Sequence, residues 1–261
     1  MPARDPDLPL LRGVIAPNLT PFEDDLSVAE DLFLAHARGL LAGGCAGLAP
    51  FGTTGEALSL GLEERMRLLL RLVEAGIEAA RLLPGTGLCS LPDTVLLTRQ
   101  AAELGCAGAM ILPPFYFKGV PEEGLYAYYA RLIEAVGRDD LRIYLYHIPQ
   151  VAGVGLPVSL VRRLREAFPR QIVGIKDSSG DWENSKALME IEGLVVYPAT
   201  EAVLLEGLAL GSAGCISATA NLNAAAIARV LALHDSGDAA GAAGAYASVQ
   251  AFRRVLQEAG P

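Results

Sequence analysis

An α/β chain closed into a single (β/α)8 barrel, a TIM barrel, is the fold class this sequence predicts, and three observations carry that prediction. Its 261 residues fall near the length typical of one such barrel. Apolar runs of strand length recur eight times along the chain, with helical stretches between them. The first run is not followed by the Gly-x-Gly-x-x-Gly turn that would mark an open, dinucleotide-binding sheet.

The eight runs are 13–16, 47–51, 82–85, 107–112, 142–146, 172–175, 194–197 and 214–217. Between them, apolar residues at three- and four-residue steps predict helices over stretches that include 62–80, 94–104, 122–136, 158–168 and 201–210. Strand and helix in alternation require parallel strands joined by crossover helices. After Asn221 the pattern supports two helices, 224–234 and 239–257, expected to pack outside the closed ring. The predicted organisation is a barrel over residues 1–221 followed by a short C-terminal helical extension over 222–261.

Composition narrows the function. Hydrophobic residues at 52% with 28 glycines indicate a large core and many tight turns. A formal charge of -9, with no lysine or arginine run, repels a phosphate backbone and excludes nucleic acid as a partner. Residues 1–7 have no apolar leader and no later stretch is uncharged for long enough to span a bilayer, so no membrane association and a cytoplasmic location are expected. Cys45, Cys89, Cys106 and Cys215 form no Cys-x-x-Cys pair, and His36, His147 and His234 show no metal-ligand spacing. Neither a metal nor a disulfide is expected.

Barrels of this kind gather reactive groups at the C-terminal ends of their strands. The positions where each apolar run turns polar are Thr20, the loop Gly52-Thr53-Thr54-Gly55-Glu56, Tyr116, Tyr146 and Lys176. Lys176 ends the sixth run. An amine at the inner mouth of a strand suits carbonyl chemistry by Schiff base, because apolar surroundings penalise its charged form. The period of two puts Tyr144 and Tyr146 on one face of their strand, and Gly174 and Lys176 on one face of theirs. The Gly-Thr-Thr-Gly turn offers hydroxyls and backbone N–H groups to a small carboxylate. Each residue also has a plain reading: the turn as an ordinary loop with a capping Thr, Tyr146 as core, Lys176 as a solvated amine paired with Asp177.

Taken together, Gly52-Thr53-Thr54-Gly55-Glu56, Tyr146-His147-Ile148-Pro149, Gly174-Ile175-Lys176-Asp177 and the run from Gly214 to Asn221 resemble the dihydrodipicolinate synthase and N-acetylneuraminate lyase family. The resemblance extends from about Gly13 to Gln257. It implies that Lys176 condenses with pyruvate or another 2-keto acid, that Tyr146 moves protons with Thr53 as relay, and that Tyr116 is lent across a tight dimer. It also implies that Thr54, beside Gly52, grips the carboxylate and that Ile216 supplies a backbone carbonyl. No external cofactor is needed, since the covalent link forms on the lysine. A homo-oligomer, a dimer or dimer of dimers, is implied as well.

The match departs from the synthases at one place. They carry an arginine two residues after the proline of the Tyr-Asn-x-Pro motif, where this chain has Val151, and His147 stands where Asn is common. An apolar side chain cannot fork onto a carboxylate. The expected reaction is therefore reversible cleavage of a 2-keto-3-deoxy sugar acid or related 4-hydroxy-2-oxo acid into pyruvate and an aldehyde. In that branch Ser178, Thr200 and Glu201 are counterparts of groups that bind the polyol tail. The other readings are a dihydrodipicolinate synthase using aspartate semialdehyde, a dehydratase of such acids, and a barrel that binds a keto acid without turning it over. The C-terminal region is shorter than the family's usual one, which leaves subunit packing there open.

Overall fold

The computed structural model describes residues 10–259; the reading of residues 1–7 lies outside them. Seven parallel strands are regular: β1 (Gly13–Ala16), β2 (Gly47–Leu48), β3 (Ala109–Ile111), β4 (Ile143–His147), β5 (Ile172–Asp177), β6 (Val195–Pro198) and β7 (Gly214–Ile216). They form two arcs, β2-β1-β7 and β3-β4-β5-β6. The eighth stave is 82–85, which bridges β2 and β3. Leu83 and Gly85 donate N–H bonds to Leu48 and Pro50 (both 2.8 Å), while Leu82 and Pro84 accept from Ala107 (2.8 Å) and Met110 (2.9 Å). Pro84 has no N–H to give toward β3, so this stave lacks a regular ladder. On the far side, Ala213 N–H donates to Val196 (3.0 Å) and Gly13 N–H to Ala213 (2.7 Å), closing the ring.

Helices α1 (Glu30–Ala42), α2 (Leu62–Glu74), α3 (Leu91–Glu103), α4 (Glu122–Val136), α5 (Pro149–Ala152), α6 (Val158–Ala167), α7 (Trp182–Met189), α8 (Leu204–Ala209), α9 (Ala220–Asp235) and α10 (Ala239–Ala259) surround it. The alternation expected on β4 is present. Tyr144 and Tyr146 join Ile15, Ala49, Leu83, Met110, Tyr197 and Ile216 in the inner cluster, whereas Ile143 and Leu145 pack with Ile172 and Ile175 against the helices. Gly174 makes room for the Tyr144 ring, since a Cβ there would lie 2.6 Å from Tyr144 Cδ1.

Three predicted helices end differently. The stretch 62–80 stops at Glu74, because Gly76 turns left-handed at φ +86. The stretch 201–210 splits into a 3-10 turn, Glu201–Val203, and α8, with Val203 at φ -117 between them. The stretch 224–234 begins earlier, at Ala220, with a break at Asn223 (φ -132). Helix α9 packs outside the ring, its Ile227, Val230 and Leu231 sharing a core with Val14 and Ala16 of β1. Helix α10 lies on α9 and reaches back to the strand ends, where Tyr246 and Gln250 both donate to the Ala202 carbonyl, Gln250 at 2.9 Å. No described helix is long and apolar enough to cross a membrane.

Candidate active site

Strands β4 and β5 run side by side in a register that pairs Tyr146 with Lys176. Lys176 is 4% exposed. Its Nζ donates to Tyr146 Oη at 3.3 Å and lies 4.3 Å from the centre of that ring. The same phenolic oxygen shares a hydrogen bond with Thr53 Oγ1 at 3.2 Å. Burial alone would raise the pKa of this phenol. The Lys176 charge, with hydrogen bonds to Thr53, Lys176 and Ser178, outweighs burial and brings it below the usual tyrosine value.

The loop that carries Thr53 is held in an uncommon shape. Phe51 and Glu56 both have positive φ, +60 and +50. The Phe51 carbonyl approaches Gly85 so closely that a Cβ on Gly85 would lie 2.2 Å from it. A Cβ on Gly55 would lie 2.7 Å from the Asn18 carbonyl. Thr20, which follows the first predicted strand, donates its hydroxyl to Gly55 O at 2.7 Å and is thereby a brace for the loop. Thr53 and Thr54 are thus presented together toward the Lys176 mouth.

An open cavity of about 370 Å³ lies over Lys176, with Thr53, Thr54, Tyr146, Ser178, Thr200 and Ile216 among its walls. Gly52 instead faces an adjoining, more apolar cavity beside Met110, Phe115 and Val151. Ile216 reaches the wall from β7, paired with Ile15. Ser178 is pinned by its N–H to the His147 carbonyl (2.7 Å), and Thr200 Oγ1 caps the 3-10 turn by accepting the Ala202 N–H (3.0 Å). Glu201 is only 1% exposed and its carboxylate turns to Ser217 and to Arg253 (3.1 Å), not to the cavity wall. Burial pushes Glu201 upward, but hydrogen bonds from Ser217, Thr219 and its own backbone N–H, with the charge of Arg253, together hold it below the usual carboxylate value. Tyr116 stands apart from this cavity, 77% exposed and edge-on to Phe117 with ring centres 5.7 Å apart.

Two neighbours in sequence do other work. Asp177 does not pair with Lys176: its carboxylate accepts from Asn184 Nδ2 (2.9 Å), Ser185 Oγ (2.7 Å) and Ser179 N–H (2.9 Å). His147 is buried, and its Nδ1 accepts the Leu156 N–H at 2.8 Å. Burial lowers the His147 pKa below the ordinary histidine value, against the opposing charge of Asp177. Sequence reasoning missed Gln150, Asp181, Trp182 and Arg253, all on the cavity wall. Asp181 is legible as the N-cap of α7, accepting from Glu183 and Asn184 N–H. Arg253 leaves no signal, because only the return of α10 to the strand ends brings it there.

A closed eight-stave ring with a buried amine at its mouth, in contact with a phenol that in turn meets a threonine hydroxyl, belongs to the class I lyases and aldolases that work through a lysine Schiff base. Within that class, the chain belongs to the Dihydrodipicolinate synthetase family, whose model matches residues 10–258. It is 36% identical over 242 residues to an uncharacterized DapA-like lyase of Chloroflexus aurantiacus, covering 92% of this chain and 80% of that one. It is 38% identical over 214 residues to a 4-hydroxy-tetrahydrodipicolinate synthase of Thermus thermophilus, covering 81% of this chain and 70% of the synthase. Among solved structures it superposes on YagE of E. coli K12, a prophage protein of the dihydrodipicolinic acid synthase family crystallised with pyruvate. That match has a TM-score of 0.88 and 27% identity, and covers 95% of this chain and 84% of YagE.

Proposed function

We propose that Lys176 forms a Schiff base with pyruvate and that the enzyme makes or breaks a carbon–carbon bond between pyruvate and an aldehyde. The observation that carries this reading is the contact series Lys176 Nζ, Tyr146 Oη, Thr53 Oγ1 at the cavity floor. The neutral amine adds to the keto carbon, water leaves, and the resulting iminium draws in the electron pair of the neighbouring bond. In the condensing direction Tyr146, left as phenolate after protonating the departing hydroxyl, takes a proton from the methyl carbon, the enamine attacks the aldehyde, and Tyr146 returns that proton to the new oxyanion. In the cleaving direction Tyr146 takes the hydroxyl proton as the aldehyde departs. Thr53 connects the phenol to the cavity, Thr54 and the loop N–H groups hold the keto-acid carboxylate, and Ile216 offers its carbonyl beside the reacting carbon. Tyr116, with exposed Phe117, belongs to a contact with a second copy.

For the aldehyde, the relatives favour the synthase reaction over the sugar-acid cleavage expected from Val151. Synthases named for 4-hydroxy-tetrahydrodipicolinate recur among the curated proteins similar to this chain. The first reading is thus condensation of pyruvate with aspartate semialdehyde. The second, cleavage of a 2-keto-3-deoxy sugar acid, rests on Val151, which is 61% exposed in α5 and offers no charge to a carboxylate. A panel of aspartate semialdehyde, glyceraldehyde and 2-keto-3-deoxy sugar acids, with pyruvate consumption or release followed, separates them. Turnover only with sugar acids overturns the first reading.

A further inference from the structure

On the Schiff-base reading above, we propose that Arg253 is the anion receptor for the far end of the second substrate, which therefore carries a carboxylate of its own. Among the described residues lining the cavity over Lys176, Arg253 is the one cationic side chain besides the lysine itself. The two acids on the wall are already engaged, Asp177 with Asn184 and Ser185 and Asp181 with the first turn of α7. An anion entering beyond the reactive amine meets one cationic group, the guanidinium of Arg253, whose remaining donors are those not turned to Glu201.

That charge is placed in advance. Glu201, buried beneath the rim, takes Arg253 Nη1 at 3.1 Å and is itself held by Ser217, whose hydroxyl lies 2.9 Å from that of Thr219. One helical turn or two earlier, Gln250 and Tyr246 tie the same helix to Ala202. Arg253 is 22% exposed. A guanidinium has five donors in a planar fork. The contact with Glu201 engages Nη1, and the side chain also borders the cavity. A group fixed before its ligand arrives loses little side-chain freedom on binding.

The placement also answers the departure at Val151. That residue borders the apolar cavity on the α5 side, while Arg253 borders the cavity next to it, and Tyr146 and Thr53 line both. The positive group thus stands on the helix that arrives at the ends of β6 and β7, and not on α5. A carboxylated tail is accordingly directed across the mouth toward α10.

The test uses two keto acids of matched length, 2-oxoadipate with a charged tail and 2-oxohexanoate with an uncharged one. Half-saturation for borohydride-trapped adduct on Lys176 is measured for each, with pyruvate as control. In the wild-type enzyme 2-oxoadipate should saturate at a concentration at least about tenfold lower than 2-oxohexanoate, with the advantage shrinking as salt is raised. Arg253→Gln should remove that advantage and Arg253→Lys should restore part of it. Equal saturation by both acids in the wild type, trapping of pyruvate but of neither longer acid, or an advantage unchanged in Arg253→Gln overturns the assignment. So does weakening of both acids alike together with a lowered Tm, which is the mark of a purely structural clamp. Should Arg253→Gln not fold, the salt dependence and the Arg253→Lys ratio decide. Failure of pyruvate itself to be trapped in the wild type overturns the Schiff-base reading instead.

Discussion

Lys176 Nζ and Tyr146 Oη lie 3.3 Å apart on adjacent strands whose register pairs the two residues. Neither side chain owes its position to a loop, so the amine and the phenol meet without rearrangement. The Thr53 hydroxyl does come from a loop, and that loop is fixed by close backbone contacts at Gly85 and Gly55.

Removing the phenolic oxygen separates proton transfer from pyruvate capture. Tyr146→Phe should lower kcat by about a hundredfold, the scale of general acid–base assistance, with a far smaller change in KM for pyruvate. Thr53→Val should cost about tenfold, the worth of one hydrogen bond of roughly 1.4 kcal/mol. Steady-state kinetics of both variants check this, and a Tyr146→Phe enzyme with wild-type kcat contradicts the role.

The Tyr146 phenol is lowered because the charge of Lys176 and three hydrogen bonds together exceed the effect of burial. Lys176→Met deletes the cation and one of those bonds while leaving the ring buried, so the phenol should ionise at higher pH. Ultraviolet difference titration against Tyr146→Phe in each background isolates this one tyrosine from the rest. A midpoint unmoved or lowered by Lys176→Met counts against the coupling.

Gly85 admits the Phe51 carbonyl where no side chain fits. Gly85→Ala should destabilise the fold by about 1–3 kcal/mol through overpacking, and should reduce kcat as well, because the displaced segment carries Thr53. Denaturant unfolding and kinetics on the same preparation check both effects. Unchanged stability and activity would show that the loop is not set by this contact.

His147 has a folded-state pKa below its ordinary value. The unfolded chain therefore takes up a proton before the folded one does. Stability linked to this residue is fully present above the ordinary histidine value and is lost as pH falls through it toward the lower folded value. Between about pH 7.5 and about pH 5, the unfolding free energy of the wild type should fall more steeply than that of His147→Asn. Parallel pH profiles would contradict the assignment.

The barrel was legible because its strands are buried on both faces and read as apolar runs, while its helices keep a distinct period. Lys176, Tyr146 and the threonine loop were legible for a related reason, since strand ends can be located from where such runs turn polar. Helix ends were less so: Gly76 stops α2 by a backbone choice that periodicity does not encode, and Pro84 leaves its stave without a full ladder. Glu201, expected to face the substrate, turns instead to Arg253, a partner that only tertiary packing supplies, and the plain reading of Asp177 as a partner for Lys176 gives way to Asn184 and Ser185 for the same reason. Tyr116 lies outside the cavity over Lys176, where no strand-end pattern could have placed it.

A covalent link between pyruvate and one particular lysine underlies all of the proposed chemistry. Incubating the enzyme with pyruvate and borohydride, followed by peptide mass analysis, tests it most directly. A reduced pyruvate adduct is expected on the peptide bearing Lys176, with loss of activity in step with labelling and no adduct in Lys176→Ala. An unlabelled Lys176, or full turnover by the alanine variant, contradicts it.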